Sequence, residues 1–487
     1  MKRVSIGEYL RALGYNPPPD EIYGHIDEWM DWYQGDVEKF HTYNVWNGIK
    51  LVECRRKRLG MAKKICEDWA NLILNEKVGI KAGDYNDRLS EILERNNFRV
   101  RGNQLVEVAY ALGTGAFVEY LSGDEVIVDY IRADMIHPLS WDNGDIVECA
   151  FGSYRNYAGE AGIYVQIHRR GKDEFGENPD IYYIENRYVN AETGEEIDPP
   201  AGVIPIVATG SERPLYQIIT PNIQNNIDLD SPLGISIYAN CIDQLKGCDI
   251  IYDSYINEFT LGKKRIIVPA SAARIQMNEN GMATPLFDPE DTVYYAMPGD
   301  RNSDLQLTEN NMTIRSQDHE LGIQRALDLL SLKCGMGTGR YQFNSSGVKT
   351  ATEVTSDKSD LYQNLKKNEI PVTSAILGMV DAIAFLDGYG PVDATVDFDD
   401  SIIEDSNATI DKNIKLVQSG LRSKLSAIME IQKCDEAEAQ KELERIAEEG
   451  QITGQDIDWT QDDGEYLEKE KTIGFQPPQK EEQDDEE

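Results

Sequence analysis

The sequence predicts an α+β fold organised around long helices, and three observations support this. Apolar residues recur at helical spacing over residues 238–259 and again over 323–332. A third helical pattern covers residues 354–386 and contains Pro371, whose missing backbone N–H predicts a kink. Between residues 105 and 207, short β-rich segments are separated by Gly, Asp and Asn turns, which predicts a separate region of strands.

Composition excludes several classes of protein. The chain has 487 residues and a net charge of −38, so its overall surface does not attract nucleic acid electrostatically. None of its seven cysteines lies in a CxxC pair, which argues against a zinc ribbon. We expect that no apolar run approaches the length of a membrane segment and that the chain has no signal peptide, so it is expected to be cytosolic where it is made. His137 and His168 have no ligand-like spacing and are interpreted as packed histidines; no metal or cofactor site is expected.

The first long helix is predicted over residues 231–261. Ser231 precedes Pro232, the order expected of a helix cap and first helical residue. Its apolar seam is predicted to pack on other helices, including those of neighbouring subunits, through Tyr238, Ile242, Leu245, Tyr252, Ile256 and Phe259. The opposite face is predicted to carry Asp243, Lys246, Asp249, Asp253 and Glu258. Basic residues suit the carboxyl end of the helix, which is followed by Lys263, Lys264 and Arg265.

Residues 262–312 separate this helix from a second one over residues 313–334. Strand-like segments at 266–268, 293–296 and 305–307 are joined by turns rich in Gly and Asp. An insert between two long helices is expected to project as a small subdomain at their far end.

The loop over residues 335–350 allows three interpretations. Gly335, Gly337 and Gly339 could belong to a dinucleotide turn, but no strand precedes them. Residues 346–350 partly match a phosphate-binding loop, although Val348 separates Gly347 from Lys349. The third interpretation is a plain surface connection, which begins at a helix-ending Gly335 and ends at a capping box formed by Thr350 and Glu353.

Residues 50–64 form the strongest basic cluster of this acidic chain. Met61, Ala62, Ile65 and Trp69 form an apolar helical stripe beside it, which favours an amphipathic helix with a solvated basic face. A nucleic-acid contact is the weaker alternative.

Four well-separated blocks of the sequence carry a shared set of motifs. The first block contains Trp32-Tyr33-x-Gly35 and Phe40-His41-x-Tyr43-Asn44, and the second covers residues 59–70. The third comprises Lys333-Cys334-Gly335 and residues 349–354, and the fourth covers residues 398–405. In pattern and order these blocks resemble the portal proteins of phages of the long-tailed, siphophage-type branch, and together they span most of residues 25–445.

The resemblance implies a portal fold with a defined order of regions. Residues 1–230 correspond to the N-terminal part of the wing, 231–261 and 313–334 to the stem helices, and 262–312 to the clip. Residues 335–350 correspond to the tunnel loop, 351–400 to the kinked helix and a wing strand, and 401–450 to the crown. The acidic tail, 451–487, lies largely outside the resemblance and is predicted to be disordered.

The resemblance also implies function. A dodecameric ring at one capsid vertex would let double-stranded DNA enter during packaging, retain it, and release it at ejection. The implied partners are the terminase large subunit, a head–tail adaptor protein, and the major capsid and scaffolding proteins. The loop residues expected to face DNA are Arg340, Asn344, Ser345, Ser346 and Lys349. The expected location is the virion, with assembly in the host cytoplasm; the alternatives are a structural head protein without a channel and, more weakly, an NTP-binding enzyme.

Overall fold

The computed structural model describes the chain except residues 1–3, 47–49, 158–159, 263–264, 270–274, 278–282, 286–293, 298–307, 311–312, 344–350, 399–405, 433, 435 and 454–487. The first compact unit comprises residues 1–399. Its N-terminal helices and strands are α1 (Ile6–Ala12), α2 (Asp20–Gln34), α3 (Glu38–His41), β1 (Thr42–Trp46), β2 (Leu51–Arg55), α4 (Met61–Ile73), β3 (Gly79–Lys81), α5 (Asn86–Arg95) and α6 (Phe98–Leu112). A capping box formed by Ser5 and Glu8 begins α1.

Eight strands follow, as the turn-separated β-rich pattern predicts: β4 (Gly115–Ser122), β5 (Glu125–Arg132), β6 (Ile136–Asp142), β7 (Asp145–Tyr157), β8 (Glu160–Arg170), β9 (Tyr182–Asn190), β10 (Ile206–Ala208) and β11 (Tyr216–Ile219). Five of them form an antiparallel sheet in the order β10-β9-β8-β7-β6. The other three pair as β11-β4-β5, also antiparallel. The two sheets are therefore built almost entirely from strands adjacent in sequence.

Both predicted packed histidines lie in the five-stranded sheet. His137 and His168 are buried, and their ring nitrogens have no hydrogen-bond partner among the described residues. His168 packs edge-on against Phe151 and Tyr216. Burial lowers the pKa of each imidazole to about 3, so both rings are neutral in the folded protein at neutral pH.

The first long helix, α7 (Ile242–Leu261), begins eleven residues later than predicted. Ser231 and Pro232 do not begin a helix, because the chain that follows them packs in an irregular conformation against α6. Ile237 N–H donates to the Tyr110 carbonyl, at 2.9 Å. A Cβ on Gly234 would lie 2.3 Å from the carbonyl oxygen of Gly113, so this close approach requires glycine. Tertiary packing here overrides a local helix-start signal.

The insert contains β12 (Arg265–Pro269), β13 (Ile275–Met277), β14 (Ala283–Pro285), β15 (Tyr294–Met297) and β16 (Thr308–Asn310). Strand β12 pairs in parallel with β15 and antiparallel with β16, while β13 and β14 form a hairpin. The strands predicted at 266–268 and 293–296 are therefore confirmed as β12 and β15, with slightly different bounds. The strand predicted at 305–307 lies outside the described residues. The second long helix, α8 (Ser316–Lys333), follows as predicted.

Helix α9 (Ala351–Leu386) is the longest element and contains Pro371, as predicted; the kink at Pro371 stays a prediction. Thr350, the predicted cap, lies outside the described residues. The segment Asp360–Leu386 is long and apolar enough to cross a membrane, with a mean hydropathy of 1.6, so the expectation that no apolar run reaches this length is wrong. Half of the relevant window is buried, and α9 packs on β4, β11 and α4, as a core helix does. Strand β17 (Thr395–Asp397) then pairs with β3.

The second compact unit, residues 400–487, contains α10 (Ser406–Gln418), α11 (Lys424–Gln432) and α12 (Glu436–Thr453). Arg422 connects two of these helices, since its guanidinium donates to Asn413 Oδ1 at 2.9 Å and forms an ion pair with Glu430. The resemblance assigned residues 401–450 to this region, and the last helix continues beyond that boundary to Thr453.

Candidate functional site

Helices α7 and α8 form an antiparallel pair, and a polar contact joins them at each end. Near the insert, the Arg315 guanidinium binds Glu258 with an Nη2–Oε2 distance of 3.1 Å. Arg315 lowers the pKa of the Glu258 carboxyl to about 2. At the opposite end, Lys333 Nζ donates to the Asn240 carbonyl at 2.9 Å. Polar contacts therefore hold α7 and α8 together both next to the insert and at the opposite end of the pair.

Two buried carboxylates of α7 hold the chain that leads into α4. Asp249 Oδ1 accepts the backbone N–H of Leu59 at 2.7 Å, and Asp253 Oδ1 accepts that of Lys57 at 2.8 Å. Asp249 Oδ2 lies 3.1 Å from His41 Nε2. Because His41 Nδ1 accepts from the backbone N–H of Val37, its Nε2 carries the proton and donates to Asp249. We call these two carboxylates, with the three groups they bind, the carboxylate clasp.

The clasp corrects one prediction. Asp249 and Asp253 were placed on the face opposite the apolar seam of the first long helix, but both are buried. The helical spacing could have indicated this burial. Asp249 follows the buried Leu245 by four residues and Asp253 follows Asp249 by four, so all three lie on one face of the helix. Carboxylates on a buried face require donors, and backbone N–H groups of residues 57 and 59 supply them here.

The basic cluster over residues 50–64 is not one amphipathic helix. Its first part is strand β2, which pairs with β1; an extended segment follows, and α4 begins only at Met61. The arginines are engaged locally: Arg55 pairs with Asp36, and Arg56 lies over the rings of Phe40 and Tyr43. A cleft of about 360 Å³ adjoins this segment and is lined by His41, Arg55, Arg56, Lys57, Arg58, Tyr252 and Ile256. The positive charge therefore borders the middle of α7.

The chain leaves α8 through a tight turn at Gly335, as predicted. Gly335 has a φ of +78°, Met336 N–H donates to the Ser331 carbonyl and Gly335 N–H to that of Leu332, which is a Schellman motif. Side chains from α4 and α9 then bind the turn. Trp69 Nε1 donates to the Cys334 carbonyl at 3.1 Å, and Asn364 Nδ2 donates to that of Gly335 at 3.0 Å.

The following residues, 337–343, are anchored too, which the sequence did not predict. Ser331 Oγ donates to the Gly337 carbonyl at 2.7 Å, and Gln324 Nε2 donates to that of Tyr341 at 2.9 Å. The Tyr341 hydroxyl donates to Asp68 Oδ2 at 2.9 Å, and burial beside this carboxylate raises the pKa of Tyr341. The first half of the predicted tunnel loop is thus held to α4 and α8. Ser331 and Gln324 belong to the helix directly before the loop, whereas Asp68 lies far away in sequence, and no periodic pattern indicates these polar contacts.

Of the loop residues expected to face DNA, only Arg340 is described. Its Nη2 lies 3.9 Å from Asp68 Oδ1, which also accepts from Lys64 Nζ at 2.6 Å. At that distance the ion pair is weak, and the guanidinium remains one-third exposed. Asn344, Ser345, Ser346 and Lys349 lie outside the described residues.

The predicted stem residues fall into different environments. Tyr238 is buried but precedes α7, and its hydroxyl donates to the Trp29 carbonyl at 2.7 Å. Leu245 is buried, whereas Ile242, Tyr252 and Ile256 are half-buried and Phe259 is 44% exposed, so the seam is not covered within one chain. Among the basic residues, Lys246 pairs with Asp243 at 3.7 Å and Arg265 begins β12. Lys263 and Lys264 lie outside the described residues.

Comparison with known proteins gives one family match. The model of the family described as "Phage portal protein, SPP1 Gp6-like" matches residues 19–456. No match was found among curated proteins. A solved chain from the "Neck of native GTA particle computed with C12 symmetry" is similar at a TM-score of 0.37 and 12% identity, over 88% of this chain and 99% of that one.

Proposed function

Because this chain belongs to the SPP1 Gp6-like family of phage portal proteins, we propose that it forms a closed ring of twelve subunits at one capsid vertex. The central channel of the ring conducts double-stranded DNA into the head during packaging and out of it at ejection. The family is structural, so the proposed role is conduction and docking rather than catalysis. The protein is a component of the virion, assembled in the host cytoplasm.

The observation that carries this proposal is an uncovered apolar surface on the helix pair. Large aliphatic and aromatic side chains along α7 and α8 are exposed in the single chain: Ile250, Phe259, Leu321, Leu329 and Leu332. Leu321 and Leu329 are 61% and 59% exposed. Exposed apolar side chains along two paired helices mark an interaction surface, and in a ring each subunit would cover part of its neighbour.

The other partners follow from position and charge. The insert between α7 and α8 is the proposed docking region for the terminase large subunit and later for the head–tail adaptor protein. The remaining surface would contact the major capsid and scaffolding proteins. A net charge of −38 suits a protein that lets a polyanion slide through without binding it tightly. The few cations of the 335–350 loop then become the local contacts with passing phosphates.

Replacement of Arg340 and Lys349 together by alanine is expected to spare ring and capsid assembly and to reduce DNA packaging or retention. Each phosphate contact contributes little alone, but a ring repeats it many times. The Arg340–Asp68 contact is long, so its loss should cost little stability. The measurement is the amount and length of DNA in purified particles.

Arg213→Ala provides the control, because Arg213 is a cation outside both the loop and the α7/α8 pair; its side chain is 79% exposed and pairs with Asp381. Particles of this variant should contain DNA in wild-type amount and length. Full-length DNA at wild-type yield in particles of the Arg340/Lys349 double variant would remove the loop from the proposed mechanism.

A further inference from the structure

The antiparallel strand pair β1/β2 presents large apolar side chains to solvent at one of its ends. Thr42 faces Arg55 at the end next to α7, where Arg55 lines the cleft beside Tyr252. At the other end Trp46 faces Leu51, and these two side chains are 61% and 65% exposed. Among the described residues the two strands pair only with each other, and a two-stranded sheet on its own is marginally stable in water. The strand pair therefore exposes an apolar surface that a partner can cover.

An open cleft with two apolar walls lies on α8, and we call it the α8 cleft. It has a volume of about 320 Å³, which is enough to admit one aromatic side chain, and it is lined by Gln317, Glu320, Leu321, Gln324, Gln342 and Phe343. Leu321 and Phe343 are its large exposed apolar residues. Gln324 fixes the wall formed by Phe343, because its amide oxygen accepts the Phe343 N–H at 3.3 Å while its amide nitrogen donates to the Tyr341 carbonyl. The cleft is therefore already formed in the single chain.

The strand pair and the α8 cleft lie on opposite flanks of the α7/α8 helix pair. Helix α7 contacts α8 through Tyr255, whose ring centroid lies 5.9 Å from that of His319. Asp253 binds the Lys57 N–H just after β2, and at about 100° per residue it lies about 160° around α7 from Tyr255. By the same geometry, Leu321 lies about 160° around α8 from His319. The helix pair thus separates the two features, and the strand pair of one chain does not reach its own cleft.

The two flanks also carry opposite charge. Residues 55–58, where the β1/β2 pair meets α7, are all basic, and Arg55 and Arg58 share the single carboxylate of Asp36. Residues 316–328 of α8 contain three acidic residues and one arginine. Complementary charges on two surfaces of one chain favour contact between copies in a single orientation.

We propose that the Trp46/Leu51 end of β1/β2 in one subunit inserts into the α8 cleft of the next subunit, between Leu321 and Phe343. This contact presupposes the ring proposed above and names the two surfaces that close it. A projecting surface on one flank and a cleft on the other form a head-to-tail interface, which repeats around an axis until the ring closes. Trp46 is the expected anchor, because a few buried aromatic residues carry most of the binding energy of an interface.

The first test measures the protein concentration at which half of the subunits are assembled in rings, by mass photometry of the purified full-length protein. Trp46→Ala and Phe343→Ala should each raise this concentration at least about tenfold, as the loss of an interface anchor does. Both side chains are exposed in the single chain, so the variants should fold as the wild type does, which circular dichroism checks. The double variant should raise the concentration by less than the product of the two single effects, because the two side chains contact each other.

Phe175→Ala is the matched control. Phe175 is a phenylalanine of similar exposure, 65%, and it lies between β8 and β9, away from both flanks of the α7/α8 pair. Its rings should assemble at the wild-type concentration. In combination with Trp46→Ala it should add nothing to the effect of Trp46→Ala alone.

A cross-link identifies the surface that Trp46 meets. The variant carries p-benzoylphenylalanine in place of Trp46, and unlabelled and ¹⁵N-labelled copies are mixed before assembly. Irradiation should join position 46 to one of two tryptic peptides, 316–325 or 341–349. Joined pairs should include a light peptide with a heavy one, because the contact lies between copies.

Three results would overturn this contact while leaving the ring intact. They are assembly of Trp46→Ala at the wild-type concentration, full additivity of Trp46→Ala with Phe343→Ala, and cross-links from position 46 that lie within one chain or on other surfaces only. A wild-type protein that stays monomeric at every concentration would overturn the ring and this contact together, so the two failures are distinguishable.

Discussion

Replacement of Asp249 by asparagine is expected to lower the free energy of unfolding by about 2 kcal/mol, because hydrogen bonds to charged groups contribute roughly 1.5–3 kcal/mol each. The carboxylate accepts from two donors, Leu59 N–H and His41 Nε2–H. An asparagine has one acceptor oxygen, so its amide group would face one of these donors and leave it unpaired. Urea denaturation measures the loss, and amide hydrogen exchange at Lys57 and Leu59 should accelerate at the same time.

Asp243→Asn is the matched control on the same helix. Its carboxylate is 90% exposed, and its one ion pair, with Lys246, is long at 3.7 Å. The free energy of unfolding of this variant should therefore stay within about 0.5 kcal/mol of the wild-type value. Asp253→Asn should behave like Asp249→Asn, since Asp253 accepts from Lys57 N–H and from Asn257. Equal stability of the Asp249 and Asp243 variants would show that the clasp does not hold α7.

Acid is expected to destabilise the five-stranded sheet through its two buried histidines. In the folded protein His137 and His168 have a pKa of about 3, whereas an unfolded histidine has a pKa of about 6.5. The unfolded chain therefore takes up protons first, and stability present above pH 6.5 is lost as the pH falls toward 3. At pH 5 each histidine costs about 2 kcal/mol, and both together about 4 kcal/mol.

The variant His168→Phe isolates this effect, because a phenylalanine ring can take the same place between Phe151 and Tyr216. Its loss of stability between pH 7.5 and pH 5, measured by urea denaturation, should be about 2 kcal/mol smaller than that of the wild type. His25→Gln is the control, since the side chain of His25 is 43% exposed and takes no part in the five-stranded sheet. Identical pH dependence of His168→Phe and wild type would show that the pKa of His168 is the same in the folded and the unfolded protein.

Long periodic patterns were predicted well because their signal lies within the element itself. Helix α9, the strands over residues 115–190 and the turn at Gly335 all follow from local sequence. The start of the first long helix was predicted wrongly. Ser231 and Pro232 match the pattern of a helix start, but Gly234 packs against the Gly113 backbone and Ile237 N–H donates to the Tyr110 carbonyl. Local propensity is a weak guide where buried neighbours fix the backbone.

The site was only partly predictable for a related reason. Glycine positions indicated a loop after α8, but its anchors are Asp68, Gln324 and Asn364, which come from three different helices. The same holds for the carboxylate clasp, where α7 binds backbone groups about 190 residues earlier in the chain. Polar contacts between distant segments have no periodicity, so only the three-dimensional arrangement identifies them.

The native mass of the purified full-length protein tests the central claim most directly. At micromolar concentration, light scattering combined with electron microscopy should detect a closed ring with a central hole, whose mass is about twelve times the 54.9 kDa of one chain. The exposed apolar residues of α7 and α8 require such neighbours. A monodisperse 54.9 kDa monomer, or a compact oligomer without a hole, would contradict the account.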